Sequence, residues 1–130
     1  MTTADYLIKG ASLPDGKKAD ISISNGVITS VGSGFKGEAT TVINAIDCLV
    51  LPGLVDLHTH LREPGREDAE TVLSGSSAGV KGGFTAVSAM ANTSPVADTA
   101  GVVEQVYRLG QEAGLLDVFP IGAVTQGLKG

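Results

Sequence analysis

The stretch PGLVDLHTHLREPGRE, residues 52–67, holds both histidines of a 130-residue chain, one residue apart at the end of an apolar run. Side chains two apart on a strand share a face. His58 and His60 therefore project together, with Cα atoms roughly 6.6 Å apart at a rise of ~3.3 Å per residue. Two neutral imidazoles on a rigid strand can converge on one divalent ion, and zinc suits this donor, taking imidazole nitrogen at ~2.0 to 2.1 Å. One step further along the same face comes Arg62, whose planar guanidinium can grip a carboxylate through two parallel hydrogen bonds. Asp56 shares that face too, either as an acceptor orienting a histidine or as one end of a structural hydrogen bond. Blander readings compete with each of these. His-x-His arises by chance, Arg62 can sit on the rim paired with Glu63, Glu67 or Asp68, and Asn92, just ahead of Thr93-Ser94-Pro95, has the composition of a turn.

The elements that must position these residues are legible on either side. From Cys48 to His60 the chain is nearly continuously apolar, as in a strand covered on both faces. After a polar loop, residues 69–81 suit a helix closed by Gly82-Gly83. FTAVSAMA reads as a second buried strand, and the loop NTSPVAD leads into a second helix. There Val102, Val106, Leu109 and Ala113 recur at helical spacing between an N-cap at Asp98 or Thr99 and a stop at Gly114. LDVFPIGAV is the third strand. Strands alternating with helices across short connections predict parallel pairing with right-handed crossovers, in a doubly wound sheet or in the first part of a (β/α)8 barrel. The first strand-to-helix connection, LREPGREDAE, lacks the Gly-rich phosphate fingerprint of a nucleotide-binding doubly wound sheet. A barrel puts functional side chains at the carboxyl ends of its strands, where His58, His60 and Asn92 fall.

Residues 1–50 follow another grammar. YLIKG, ADISIS, VITSVG and ATTVINA are short strands, and Asn25-Gly26 predicts a two-residue turn of type I′. Ile21 and Ile23 alternate with Asp20, Ser22 and Ser24, which predicts one buried and one wet face. The predicted class is α/β. A small antiparallel β unit, residues 1–50, precedes the first β/α units of a (β/α)8 TIM-type barrel, residues 51–130, with the barrel incomplete because the full fold takes about 250 residues.

Composition excludes several functions. The net charge of -5, with nine scattered Lys and Arg, offers no basic stripe for nucleic acid. A single cysteine, Cys48, can form neither an internal disulfide nor a Cys-rich zinc site, which suits a cytoplasmic protein and leaves Cys48 as apolar filler. The opening MTTADYLIKG lacks a signal-peptide pattern, and no apolar run approaches the ~20 residues of a membrane span.

Taken together, PGLVDLHTHLREPG resembles the first-strand signature of the amidohydrolase superfamily. LREPGREDAET with GGFTAVSAMANTSPVAD is similar to the dihydroorotases, in the class close to allantoinases and dihydropyrimidinases. DISISNGVITSVG and INAIDCLVLPG extend the likeness to the N-terminal unit. Arg62 with Asn92 favours dihydroorotase, since the sister enzymes typically lack that arginine. One departure is visible: the family's usual Met-Pro-Asn-Thr is Met90-Ala91-Asn92-Thr93 here, which relaxes the backbone before Asn92.

The resemblance implies a zinc-dependent, reversible cyclisation of N-carbamoyl-L-aspartate to L-dihydroorotate, a step of pyrimidine biosynthesis. It implies His58 and His60 as metal ligands, and His60, Arg62 and Asn92 as contacts to the substrate and its carboxylate. It implies no catalytic acid or base within these residues, the family's catalytic aspartate and its further ligands belonging to later strands. The chain then reads as an N-terminal portion, inactive alone. A homo-oligomer and assembly with aspartate transcarbamoylase are the protein partners implied. The alternatives are an allantoinase or dihydropyrimidinase type of cyclic amidohydrolase, and a non-catalytic dihydroorotase-like scaffold for aspartate transcarbamoylase. Intact His58, His60 and Arg62 argue against the scaffold, which has no physical need of them.

Overall fold

The computed structural model describes residues 3–130, in two compact units that meet in sequence at Pro52 and Gly53. The first unit contains β1 (Thr3–Ser12), β2 (Lys18–Ser24), β3 (Val27–Gly32) and β4 (Glu38–Asn44), in the sheet order β3-β2-β1-β4. Asn25 and Gly26 have φ of 52° and 73°, the two positive values a type I′ turn requires, and the turn sets Ser24 opposite Val27.

Two expectations for this unit need correction. The sheet is mixed rather than antiparallel, because β4 runs parallel to β1. The Asn-Gly signal reports only the hairpin that it closes, and alternation in β4 carries no information about its direction. Ser22, assigned to the wet face, is buried, with its hydroxyl 2.8 Å from that of Thr29. A register shift between β2 and β3 at Ser22 and Ile23 breaks the simple alternation there.

The second unit runs β5 (Leu54–Thr59), α1 (Val72–Lys81), β6 (Phe84–Ala89), α2 (Ala100–Ala113), β7 (Asp117–Pro120) and a short 3-10 turn (Gln126–Leu128). Its strands are parallel and lie in the order of the chain, β5-β6-β7. The helices pack on each other and on this sheet, over a core of Leu61, Val72, Val87, Val106, Leu116 and Val118. Sequential order with both helices on one side is single winding; a doubly wound sheet would reverse direction and cover both faces.

β5 is shorter than its apolar run. Pro52-Gly53 precedes the first ladder residue, and within the strand Val55 and Leu57 are 57% and 72% exposed, so the expected covering of both faces is not met. α1 begins at Val72 rather than near Ala69. Thr71 and Ser74 cap it reciprocally, Thr71 Oγ1 accepting the Ser74 amide at 3.0 Å and Ser74 Oγ accepting the Thr71 amide at 2.9 Å. The usual Glu or Gln of such a box is a serine here, which hid the signal. α2 starts after Thr99 and ends at Gly114 in the left-handed conformation, as its sequence predicts. None of the described helices is long and apolar enough to cross a membrane.

A glycine sets how closely α2 approaches the sheet. A Cβ at Gly110, buried mid-helix, would lie 2.5 Å from Val118 Cβ, whereas one at exposed Gly101 meets nothing within 4 Å. Gly110→Ala is expected to lower stability by roughly 1–2 kcal/mol, its overpacking outweighing the gain in helix propensity, while Gly101→Ala is neutral or stabilising. Urea unfolding midpoints of the two variants in the full-length protein check this.

Candidate metal and substrate site

A parallel ladder brings all its carboxyl ends to one edge, and the chemistry-bearing residues gather there. Thr59 pairs with Ala89, the Met90 amide donates to the Thr59 carbonyl at 2.9 Å, and His60 follows immediately. The rings of His58 and His60 lie with centroids 5.2 Å apart at an interplanar angle of 63°. Two imidazoles bound at ~2.0 to 2.1 Å to one tetrahedral zinc would place their centroids roughly 5 Å apart, so this pair has the separation that a shared ion requires. Among the described residues no third His, Cys, Asp or Glu joins them in a metal-binding cluster.

His60 is oriented from the next loop. Its Nδ1 lies 2.7 Å from the Asn92 side-chain oxygen. A carbonyl oxygen only accepts, so Nδ1 is the donor in this contact, and in the neutral ring that tautomer leaves the Nε2 lone pair for a ligand. Asn92 also retains its NH2 as a donor. Sequence reasoning assigned Asn92 to substrate and missed this contact with His60. The available signal was positional: the two residues follow adjacent parallel strands in register.

Arg62 departs from the expected alternation. β5 ends at Thr59, and Arg62 has φ of 64°, so it does not continue the strand face. Its carbonyl accepts the Arg66 amide at 2.9 Å in a tight turn, and its side chain is exposed. The carboxylates that could have held it on the rim are engaged elsewhere. Glu63 Oε2 accepts the Val72 amide at the start of α1 at 2.7 Å, Glu67 Oε1 accepts the Gly65 amide at 2.8 Å, and Asp68 pairs with Arg66 at 3.1 Å. Arg62 thus has no ion pair among the described residues. The amide beside Glu67 and the guanidinium beside Asp68 each hold the carboxyl below its usual range.

Asp56 does not share the histidine face. It pairs with Val87, which is buried under the helices, and lines a cavity of about 210 Å³ against Gly75, Ala78 and Gly79 of α1. Its carboxylate accepts the backbone amide of His58 at 2.9 Å rather than an imidazole, and that bond lowers its pKa.

The loops are clasped together. The Ser94 amide donates to the Pro64 carbonyl at 2.9 Å, and Gly65, at φ of 104°, approaches so closely that a Cβ would collide with the Ser94 carbonyl oxygen. Asp98 Oδ2 accepts the Gly127 amide at 2.7 Å and the Ala97 carbonyl accepts the Ala123 amide at 2.8 Å, which ties in the loop after β7.

With this geometry in place, comparison with known proteins is direct. A family model described as dihydro-orotase-like matches residues 47–130. The chain belongs to that family. Within the dihydro-orotase-like family, a dihydroorotase of Streptomyces coelicolor is 60% identical over 124 residues, 95% of this chain and 29% of its own length. A dihydroorotase of Leifsonia xyli is 57% identical over 130 residues, 100% of this chain and 30% of its own length. The chain therefore spans under a third of the length of these curated relatives. Among solved structures, L-hydantoinase (dihydropyrimidinase) from Arthrobacter aurescens matches with a TM-score of 0.74 at 25% identity, over 92% of this chain and 28% of that one. An N-acyl-D-glutamate deacylase from Bordetella bronchiseptica, solved with zinc and a phosphonate inhibitor, shares the fold at a TM-score of 0.65 and 18% identity, over 94% and 30% of the two chains.

Gly65→Ala should loosen the clasp of this dihydro-orotase-like chain. Overpacking of ~1–3 kcal/mol would speed hydrogen exchange at the Ser94 amide by about 5–150-fold, while exchange at Val118 stays unchanged. Site-resolved exchange on both proteins reads the difference.

Proposed function

We propose that the full-length protein carrying this chain is a zinc-dependent dihydroorotase, joining or opening the ring between N-carbamoyl-L-aspartate and L-dihydroorotate in cytoplasmic pyrimidine biosynthesis. The observation that carries the reading is the imidazole pair, with centroids 5.2 Å apart and His60 held by Asn92, in a chain 60% identical to a dihydroorotase. In the same reading, the singly wound strands are the opening of a (β/α)8 barrel, with the site at the carboxyl ends of its strands. Residues up to about 50 then belong to a separate small β domain.

His58 and His60 would hold zinc through neutral ring nitrogens, as two of the three protein ligands that a catalytic zinc usually takes. When bound, the metal would lower the pKa of water and polarise the amide carbonyl that opens or forms. Asn92 keeps His60 in the tautomer that leaves Nε2 free, and its NH2 faces a second task at the substrate carboxylate. Arg62, unpaired within the described loop, offers that carboxylate two donors at once. A carboxylate held at its rim would orient the ring over the metal, so that few rotational states remain to be lost in the transition state. No residue of this chain is assigned the proton transfer.

A second reading, a hydantoinase or dihydropyrimidinase type of activity, is supported by the likeness to the Arthrobacter hydantoinase. Arg62 separates the two, because hydantoin and dihydrouracil rings carry no carboxylate to engage it. Dihydroorotate turnover should exceed dihydrouracil and allantoin turnover. A chelator should abolish that turnover and zinc restore it. Arg62→Met should lower kcat/KM for dihydroorotate by ~10–100-fold, the loss of hydrogen bonds to a charged group, with zinc content unchanged. Faster turnover of dihydrouracil, or equal loss of zinc and activity in Arg62→Met, would contradict the assignment.

A further inference from the structure

Resting on that reading of the histidine pair, we infer that Asp56 is a positioning residue: from the helix side of β5 its carboxylate fixes a bulge that turns both imidazoles to the opposite side, and so sets the affinity for zinc. Strict alternation would place Asp56, His58 and His60 on one face. The register is different. Asp56 pairs with Val87 and Thr59 with Ala89, three steps along β5 against two along β6. Val87 and Ala89 both belong to the core beneath the helices, so Asp56 and Thr59 lie on the helix side as well. The extra residue is absorbed at Leu57 and His58, neither of which has a partner on β6.

A bulge leaves backbone groups outside the ladder, and here the His58 amide donates to Asp56 Oδ1 at 2.9 Å. That bond closes a short ring across the bulge and pins its location. Location is what matters to the site. A bulge displaced by one residue would send one histidine through to the helix side, where Gly75 and Gly79 of α1 leave only the small cavity that Asp56 already lines. With the bulge where it is, His58 and His60 stand beside each other on the far side and His60 reaches Asn92. The role needs an acceptor oxygen at this position and no proton transfer. Asparagine, with a carbonyl oxygen in the same place, should therefore substitute for aspartate.

The test is zinc affinity of the full-length protein, measured by competition with a chromophoric chelator. Asp56→Ala should weaken zinc binding about 10–100-fold, the usual loss when a group behind a metal ligand is removed, and should alter the visible spectrum of the cobalt-substituted protein. Asp56→Asn should stay within about threefold of the parent in affinity and keep its cobalt spectrum. If the parent binds zinc and Asp56→Ala binds it equally well, this inference falls while the reading of the histidines stands. Asparagine as poor as alanine also overturns it, since charge would then be the requirement. A parent that binds no zinc removes both. Should Asp56→Ala not fold, hydrogen exchange at the His58 amide decides: protection in the parent and in Asp56→Asn supports the pinned bulge, and free exchange in the parent overturns it.

Discussion

The parallel ladder between β5 and β6 is the constraint on which the site depends. Because the two strands run the same way and are joined by α1, their carboxyl ends must open at the same edge, and the loops leaving those two ends become neighbours. His60 comes one residue after β5 and Asn92 three after β6, and the 2.7 Å contact between them is a consequence of that register. Both residues are polar and neither is deeply buried. They are held in place by the aliphatic core on the other side of the sheet, where Val72, Val87, Val106 and Val118 fix the strands that carry them.

Much of this was legible because the signals were local. Asn25-Gly26 specified its turn, Gly114 its helix end, and the alternation of apolar strands with helical spacing specified the β-α-β-α-β order. The losses share a physical origin. β4 pairs with β1 over more than thirty residues of sequence, and nothing local to β4 records whether that partner runs parallel or antiparallel. The faces of Asp56 and Arg62 were misjudged because both extrapolate a period of two residues. That period fails at a bulge, which moves Asp56 across, and at a positive φ, which takes Arg62 out of the strand.

The acidic residues after β5 show why a charge count is a weak guide to a site. LREPGREDAE carries Glu63, Glu67, Asp68 and Glu70 beside Arg62 and Arg66, and in sequence any of the acids could neutralise either arginine. Folded, Glu63 serves a helix terminus, Glu67 a backbone amide and Asp68 its own arginine. The bonds of Glu67 and Asp68 each span two residues at the exposed surface and contribute little to stability singly, while that of Glu63 spans nine residues and is partly buried. Together they occupy Glu63, Glu67 and Asp68, and none of the three pairs with Arg62.

The two faces of the β5-β6-β7 sheet divide the work. On the helix side, Asp56 and Thr59 apart, the packed core is apolar, and glycines at 75, 79 and 110 let helix backbones come close, so this face provides rigidity. On the other side stand Ser88 and its register partner Phe119, half-buried and exposed, with the two imidazoles at the rim. A face meant only for stability would not leave Phe119 and Val55 more than half exposed. In the proposed barrel that face turns inward, where apolar walls lower the local dielectric and strengthen any ion held by the histidines. Side chains that look poorly placed in three strands are then correctly placed in eight, and the same argument explains why His58 and His60 belong at the rim, where a substrate can reach them.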